Sequence, residues 1–191
     1  TYARLDQSGA NGLDTGTEQA ETWYYVYVIW GNGQTAGLFS TAFSNPTLPA
    51  GYTHSALVSA VYNDAGSDLY NYWQRQRAIT YRGGNYGVVA TVTGGQWTQG
   101  SLPALIPPIA IGARLALSGE GEMLGAAPYY TDGTGAGGFY SLGAKSVSQR
   151  TFGGMLPASY HAVSGWIPWV GSAVFISETT NFNVQALGWD F

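Results

Sequence analysis

The acidic residues closest to a catalytic arrangement are Glu120 and Glu122, which are two positions apart and would share one face of a strand. Glycosidases place two carboxyl groups on either side of the bond that they cleave. Together with Asp132, these glutamates are therefore the candidate acids of a polysaccharide-degrading enzyme. Glycines surround the two glutamates and favour a solvated turn instead. We expect no catalytic residue, and polysaccharide degradation ranks last among three candidate functions.

Two other kinds of reactive site are also poorly supported. No serine stands in a G-x-S-x-G arrangement, which the nucleophile elbow of a hydrolase requires. The glycine-rich stretch 133–138 lacks the Lys-Ser/Thr ending of a phosphate-binding loop. The sequence thus predicts no cofactor.

Metal ligands are equally sparse. The two histidines, His54 and His161, lie far apart in the sequence, and no HExxH motif occurs. Asn63, Asp64 and Asp68 bracket a turn whose oxygens are of the type that calcium prefers. The spacing lacks the full calcium-loop pattern, and Asn and Asp are common in turns for backbone reasons alone. We expect no bound metal.

The surplus of aromatic residues is the most informative feature, with 7 Trp and 14 Tyr in 191 residues. Trp23, Tyr25 and Trp30 lie in an apolar run and are expected to pack in the core or at an oligomer interface. Aromatic residues in predicted loops suit the apolar faces of sugar rings, or the centre of a protein interface. The predicted ligand-binding residues, most of them aromatic and all assigned to loops, are Trp97, Tyr129, Tyr130, Asp132, Trp166 and Trp169.

Composition excludes several partners. The net charge of −4 and the lack of a basic stripe argue against nucleic acid, since phosphate binding requires clustered Lys and Arg. The longest aromatic run, 23–30, is far too short for a membrane helix, so we predict a soluble domain without membrane insertion. There is no cysteine and no apolar signal segment at the start. Because no Met precedes Thr1, we expect the chain to be part of a longer protein.

Short strands separated by turn residues predict an all-β fold. Trp23–Trp30 should pair with Ala36–Phe43 across the Gly31-Asn32-Gly33 turn. Further strands are expected at 55–62, 69–81, 86–93, 139–151, 159–166, 172–177 and 182–191, and residues 104–118 should form one long strand or two short strands around the Pro107-Pro108 break. Residues 15–21 are expected to form at most one helical turn. The sequence therefore predicts one domain, residues 1–191, folded as an antiparallel β-sandwich of jelly-roll type.

Two stretches resemble the C-terminal domains of bacteriophage tail-fibre and related virion proteins. The first runs from Ser8-Gly-Ala-Asn-Gly-Leu-Asp-Thr-Gly16 into Trp23-Tyr-Tyr-Val-Tyr-Val-Ile29, and the second from Leu48-Pro-Ala-Gly-Tyr-Thr53 to Val61-Tyr-Asn-Asp64. The final Gly188-Trp-Asp-Phe191 is also similar to the strand that closes such chains. The resemblance implies a β-sandwich at a fibre or spike tip, assembled as a homotrimer on the virion surface. It also implies turn roles for Gly12, Gly16 and Gly51 and a packing role for Trp23.

Three functions are compatible with these features. The favoured one is a fibre-tip or receptor-binding domain that contacts a host-surface glycan or an outer-membrane protein. The second is a purely structural head or tail component that contacts other virion proteins and no host ligand. The third is the polysaccharide-degrading enzyme. Residues 94–181 match no familiar pattern, and we expect binding specificity to lie there.

Overall fold

A computed structural model describes residues 2–82, 87–91, 98–100, 105–119, 124–128, 161–168, 173–177 and 181–191. Side chains are described over residues 2–82, 105–115 and 185–191. These residues contain strands and turns and no helix. Within the same ranges, no helix has the length and apolar character needed to cross a membrane.

The described residues form thirteen strands. In chain order they are β1 Gly12–Leu13, β2 Thr22–Gly31, β3 Gln34–Ser40, β4 His54–Asn63, β5 Tyr72–Arg75, β6 Ala78–Tyr81, β7 Gly87–Thr91, β8 Thr98–Gly100, β9 Gly112–Gly119, β10 Leu124–Pro128, β11 His161–Pro168, β12 Ala173–Ser177 and β13 Asn181–Asp190. All pairings between these strands are antiparallel except β1 with β3. The predicted all-β, mainly antiparallel class is confirmed.

The chain divides into two compact units, Thr1–Asn71 and Tyr72–Phe191. Unit 1 holds one sheet in the order β1-β3-β2-β4. Unit 2 holds a sheet in the order β11-β9-β13-β6-β5, with β7 also paired to β13, and a smaller sheet in the order β10-β12-β8. The expectation of a single domain over residues 1–191 remains a prediction.

The hairpin of unit 1 forms where the sequence predicts it. Gly31 pairs with Gln34, which leaves Asn32 and Gly33 as a two-residue turn. Their φ angles are 50° and 74°, and Asn and Gly are the residues that adopt this left-handed conformation at least cost. The turn therefore fixes the register of the two strands that flank it.

Apolar side chains of the first three strands form the core of unit 1. Leu13, Tyr24, Ile29 and Leu38 are almost fully buried. The hydroxyl group of Tyr24 accepts a hydrogen bond from the backbone N–H of Gln19 at 2.7 Å, so this buried polar group has a partner. Burial of such large side chains contributes about 1.5–3 kcal/mol each.

The core of unit 2 lies on one face of its larger sheet. Ile79, Trp189 and Ala113 stand opposite one another on three adjacent strands and are fully buried. The next row of paired positions contains Thr80, which is exposed, and Arg114, which is only partly buried. Because side chains alternate between the faces of a strand, this sheet has one buried face and one accessible face.

The predicted strand 69–81 is wrong in its middle. The chain instead turns back after Arg75, and β5 pairs with β6 as a hairpin in which Arg75 lies opposite Ala78. Gln76 adopts a positive φ of 57° in this turn. No Gly, Pro, Asn or Asp marks the position, so turn chemistry gives no signal for it. Arg75 ends β5, and Arg77 lies within the turn itself.

Three other elements differ from expectation. Residues 105–111 are irregular and β9 begins only at Gly112, because Pro107 and Pro108 cannot donate to a strand ladder. Residues 15–21 form bends, within the expectation of at most one helical turn. Two short strands, β8 and β10, were not expected. The predicted strand at 139–151 lies outside the described residues.

Candidate ligand-binding surface

Most of the predicted binding residues, and the candidate acids of the polysaccharide-degrading alternative, lie outside the described residues. They are Trp97, Tyr129, Tyr130, Asp132 and Trp169, together with the candidate acids Glu120 and Glu122. The predicted binding role of Trp166 also stays a prediction, but its backbone is described. That backbone belongs to β11, which agrees with the strand predicted at 159–166 and not with the loop position that was also assigned to Trp166. Pro168 is accommodated because β11 is the edge strand of its sheet.

Strand pairing aligns five positions in a row across the larger sheet of unit 2. Trp73 on β5 is opposite Thr80 on β6, and Thr80 is opposite Gly188 on β13. Gly188 is in turn opposite Arg114 on β9, and Arg114 is opposite the backbone of Trp166 on β11. Two tryptophan positions, 93 residues apart in the sequence, therefore flank one arginine across a single sheet.

Trp73 is the most exposed tryptophan among the described residues, with 64% of its surface accessible. The guanidinium carbon of Arg82 lies 4.8 Å from the centroid of its indole ring. This distance is within the range of a cation–π interaction, which contributes about 0.5–1 kcal/mol at an exposed position. The arginine therefore orients the ring while most of the ring surface remains accessible.

Arg114 is held in place by the backbone and side chain of β6. Its Nη2 donates to the carbonyl oxygen of Ile79 and to the hydroxyl oxygen of Thr80, both at 2.8 Å. The guanidinium group thus crosses over β13 at Gly188. A Cβ atom on residue 188 would lie 2.0 Å from the carbonyl oxygen of Ile79, so glycine is required at this crossing.

Positive charge is concentrated around this row. We define the Trp73 face as Trp73, Arg75, Thr80, Arg82 and Arg114. Arg75 and Arg82 are exposed, and so is Arg77 in the adjacent turn. Unit 1 contains one basic and six acidic residues, whereas unit 2 contains six basic and five acidic residues. The basic residues that the structure describes in unit 2 all lie on or beside its larger sheet.

A second exposed aromatic cluster lies in unit 1. We define the Trp30 patch as Val28, Trp30 and His54, which are all exposed. The ring of His54 contacts the edge of Trp30 at a centroid distance of 5.4 Å, and its Nδ1 lies 2.8 Å from the hydroxyl oxygen of Thr53. The expectation that Trp30 packs in the core is wrong, because 49% of its surface is accessible. Its expected place in an oligomer interface remains a prediction.

The other residues of that aromatic run agree better with expectation. Tyr25 is buried, and Trp23 is partly buried against Tyr62 at a centroid distance of 5.4 Å. Gly16 and Gly51 have positive φ angles of 76° and 88°, as their implied turn roles require. Gly12, by contrast, lies in strand β1.

The turn that offers oxygen ligands is organised by its own backbone. One carboxylate oxygen of Asp64 accepts hydrogen bonds from the backbone N–H groups of Gly66 and Asp68, at 2.8 and 3.0 Å. The side-chain amide of Asn63 donates to the backbone carbonyl of Gln19 at 2.8 Å. No group of three or more His, Cys, Asp or Glu residues that could hold a metal occurs in the described part of the chain.

Sequence reasoning missed the Trp73 face. The cluster Arg75, Arg77 and Arg82 is visible in the sequence, but Trp73 and Arg82 are nine positions apart. Only the hairpin between β5 and β6 brings these two side chains together. The alternation of polar and aromatic residues on both faces of 69–81 was the available signal, because it indicates that neither face is wholly apolar.

Comparison with protein families, with characterised proteins and with solved structures found no match to this chain. The Trp73 face must therefore be interpreted from its own chemistry. It offers an accessible indole ring, several arginines and a hydroxyl group on paired strands. Such a set can bind and orient a partner.

Proposed function

We propose that this chain is a bacteriophage fibre-tip or receptor-binding domain that contacts a host-surface glycan or an outer-membrane protein. The observation that carries the proposal is the Trp73 face, where a tryptophan with 64% exposure lies against Arg82, which directly follows the paired strand β6. Trp and Arg are enriched at the centres of binding interfaces, so an exposed Trp beside several arginines fits a surface that contacts a partner.

The proposal includes the assembly and the setting. The fold would be an antiparallel β-sandwich of jelly-roll type in a homotrimer, placed on the virion surface at the C-terminal end of a longer fibre or spike protein. Support comes from the mainly antiparallel pairing and from the resemblance of residues 8–29 and 48–64 to tail-fibre domains. On this view the chain is not an enzyme, and it holds no metal or cofactor.

A purely structural role within the virion is the second candidate. It is favoured by the Trp30 patch, where Val28 and Trp30 are 41% and 49% exposed. A surface of this kind suits contact with another subunit, since apolar patches are usually covered in an assembly. In the receptor-binding proposal, the Trp30 patch serves the trimer while the Trp73 face serves the host.

Binding to cells separates the two candidates. The purified chain, labelled with a fluorophore, would be incubated with a panel of bacterial strains that differ in capsule and outer-membrane composition. We expect saturable binding to at least one strain, and unlabelled chain should compete with it. A folded chain that binds no strain saturably would contradict the receptor proposal and favour the structural one.

The assembly has its own measurement. Light scattering should give a mass about three times the 20.2 kDa of one chain. A mass near that of one chain would contradict the trimer.

A further inference from the structure

We infer that the Trp73 face binds an acidic polysaccharide, meaning a polymer whose sugars carry carboxylate groups. The inference rests on the proposed function and deepens it by naming the chemical class of the ligand and the residues that recognise it. Three observations on the described residues lead to it: the accessible ring of Trp73, the arginines around it, and the fixed position of Arg114.

The ring of Trp73 provides the stacking surface. Sugar rings present faces of C–H groups, and these pack on indole rings while the hydroxyl groups point outward. Arg82 lies over the Trp73 ring at 4.8 Å, yet 64% of the residue remains accessible. Much of the Trp73 residue is therefore accessible for contact with a sugar ring.

The arginines determine the charge of the ligand. Arg75 and Arg82 are exposed on the Trp73 face, and neither forms an ion pair with an acidic residue in the part of the chain that the structure describes. Arginine presents a planar array of donors that matches the two oxygens of a carboxylate. A neutral polysaccharide would leave these charges without a counterpart, whereas an acidic one would neutralise them.

Arg114 adds a positioned donor. Its two hydrogen bonds to Ile79 and Thr80 anchor the guanidinium group over the sheet before any ligand arrives. Fixing a charged side chain in advance lowers the entropy cost of binding. Because Arg114 and Trp73 belong to the same row of paired positions, a polymer lying along this row would meet both.

Two other occupants are less well matched. A second copy of unit 2 would place arginines against arginines unless it used a different surface. Nucleic acid would present a dense row of phosphates to a chain whose net charge is −4. The Trp73 face contains few cations for such a polymer. Both remain outcomes that the test distinguishes.

The test compares charged and neutral forms of the same polymers. Polygalacturonate, hyaluronate and polysialic acid would each be titrated into the full chain, beside their methyl-esterified forms, dextran, inorganic polyphosphate and a DNA oligonucleotide. We expect at least one carboxylated polymer to bind, and its methyl ester to bind at least about tenfold more weakly, since esterification removes the charge. Affinity for the carboxylated polymer should also fall as salt rises from about 0.05 to 0.5 M.

Matched variants locate the site. Trp73→Ala and Arg82→Gln should each weaken binding by at least about tenfold, as expected for contacts at the centre of an interface. Tyr2→Ala and Arg4→Gln are the controls, because Tyr2 is an exposed aromatic and Arg4 an exposed arginine paired with Asp6, both in unit 1. These controls should retain wild-type affinity. Arg75→Gln is a further site variant, whose exposed side chain should be dispensable for folding.

Several results would overturn the inference. The first two are equal affinity for a carboxylated polymer and its methyl ester, and no binding of any carboxylated polymer. The other two are unchanged affinity of Trp73→Ala, and binding of polyphosphate or DNA as tight as that of the carboxylated polymer with the highest affinity. A change in subunit number in Trp73→Ala would assign the face to a subunit contact instead. Saturable binding to cells without binding to any carboxylated polymer would refute only the acidic ligand, and the proposed function would stand.

Discussion

Arg114 on β9 is hydrogen-bonded to Thr80 on β6, although strand β13 lies between them. The contact is made where β13 carries Gly188, so no side chain stands in the path of the arginine. The pairing of β13 with β9 shifts register between Ala186 and Gly188 at this same point. The register shift therefore lies where the side chain of Arg114 links β9 to β6 across β13, within the Trp73 face.

Gly188→Ala is expected to destabilise the chain. The new Cβ atom would lie 2.0 Å from the carbonyl oxygen of Ile79, which also accepts a hydrogen bond from Arg114. The strands must move apart, and a cost of about 1–3 kcal/mol is typical of such overpacking. Urea unfolding, followed by tryptophan fluorescence, measures the loss.

Gly66→Ala is the matched control for that substitution. The nearest atom to its Cβ is a carboxylate oxygen of Asp64 at 3.2 Å, at the end of a side chain that can adjust. We expect a clearly smaller loss of stability than for Gly188→Ala. Equal stability of Gly188→Ala and the wild-type chain would show that the strands do not approach as closely as described.

Asp14→Asn should weaken unit 1. One carboxylate oxygen of Asp14 accepts from the buried hydroxyl of Ser40 at 2.7 Å and from the backbone N–H of Thr47 at 3.0 Å. The other accepts from the backbone N–H of Thr15 at 2.7 Å. An amide has only one oxygen, so at least one N–H group must lose its partner, at a cost of about 0.5–1.5 kcal/mol because both N–H groups are exposed to water.

Asp6→Asn is the control for Asp14→Asn, because Asp6 pairs with Arg4 at the surface of the same unit. Exposed ion pairs contribute little to stability, so little change is expected. Unfolding curves of the two variants can be compared directly. An equal loss in the free energy of unfolding for both variants would contradict a stabilising role of the hydrogen bonds to Asp14.

Alkaline pH is expected to destabilise the folded chain. Burial raises the pKa of Tyr25, and burial together with the charges of Tyr25 and Asp14 raises the pKa of Tyr27. The unfolded chain then loses these protons first, at about pH 10. Stability is complete below that pH and is lost as pH rises from there through the higher pKa values of the folded state.

Unfolding by urea at a series of pH values between about 8 and 11 measures this effect, with Tyr25→Phe as the diagnostic variant. Removing the hydroxyl of Tyr25 should make the decline above about pH 10 shallower. A free energy of unfolding that stays constant or rises across this pH range would contradict the raised pKa values of Tyr25 and Tyr27 in the folded chain.

Arg82→Gln is expected to leave folding almost intact. The contact of Arg82 with Trp73 lies at the surface, and exposed cation–π pairs contribute less than about 1 kcal/mol. Thermal unfolding should therefore shift by only a few degrees, and the far-ultraviolet circular dichroism should be unchanged. A large loss of stability would indicate that this pair is part of the folding framework rather than a surface for a partner.

Local patterns in the sequence were sufficient for much of unit 1. The run from Trp23 to Trp30 is rich in residues that favour strands, and Asn32-Gly33 specifies a tight turn. Both features act over a few residues, so they can be recognised without knowing the fold. The hairpin at Gln76 could not be predicted, because nothing in its sequence favours the positive φ that it adopts.

The Trp73 face depends on pairings between distant segments, which a single sequence does not reveal. Thr80 meets Gly188, and Gly188 meets Arg114, only once three strands have assembled. Trp166 was predicted both as the last residue of a strand and as part of a loop around Pro168; the strand continues to Pro168 because an edge strand tolerates that proline. The aromatic content of the sequence indicated a binding surface, but locating that surface required knowledge of how the strands pair.

The most direct test of host binding through the Trp73 face is a comparison of labelled wild-type chain, Trp73→Ala and Tyr2→Ala on intact bacteria of the strain panel. We predict saturable binding of the wild-type chain and of Tyr2→Ala to the same strain, with affinity at least about tenfold lower for Trp73→Ala. Equal binding of Trp73→Ala and wild type, or no saturable binding by a folded wild-type chain to any strain, would contradict host binding through this face.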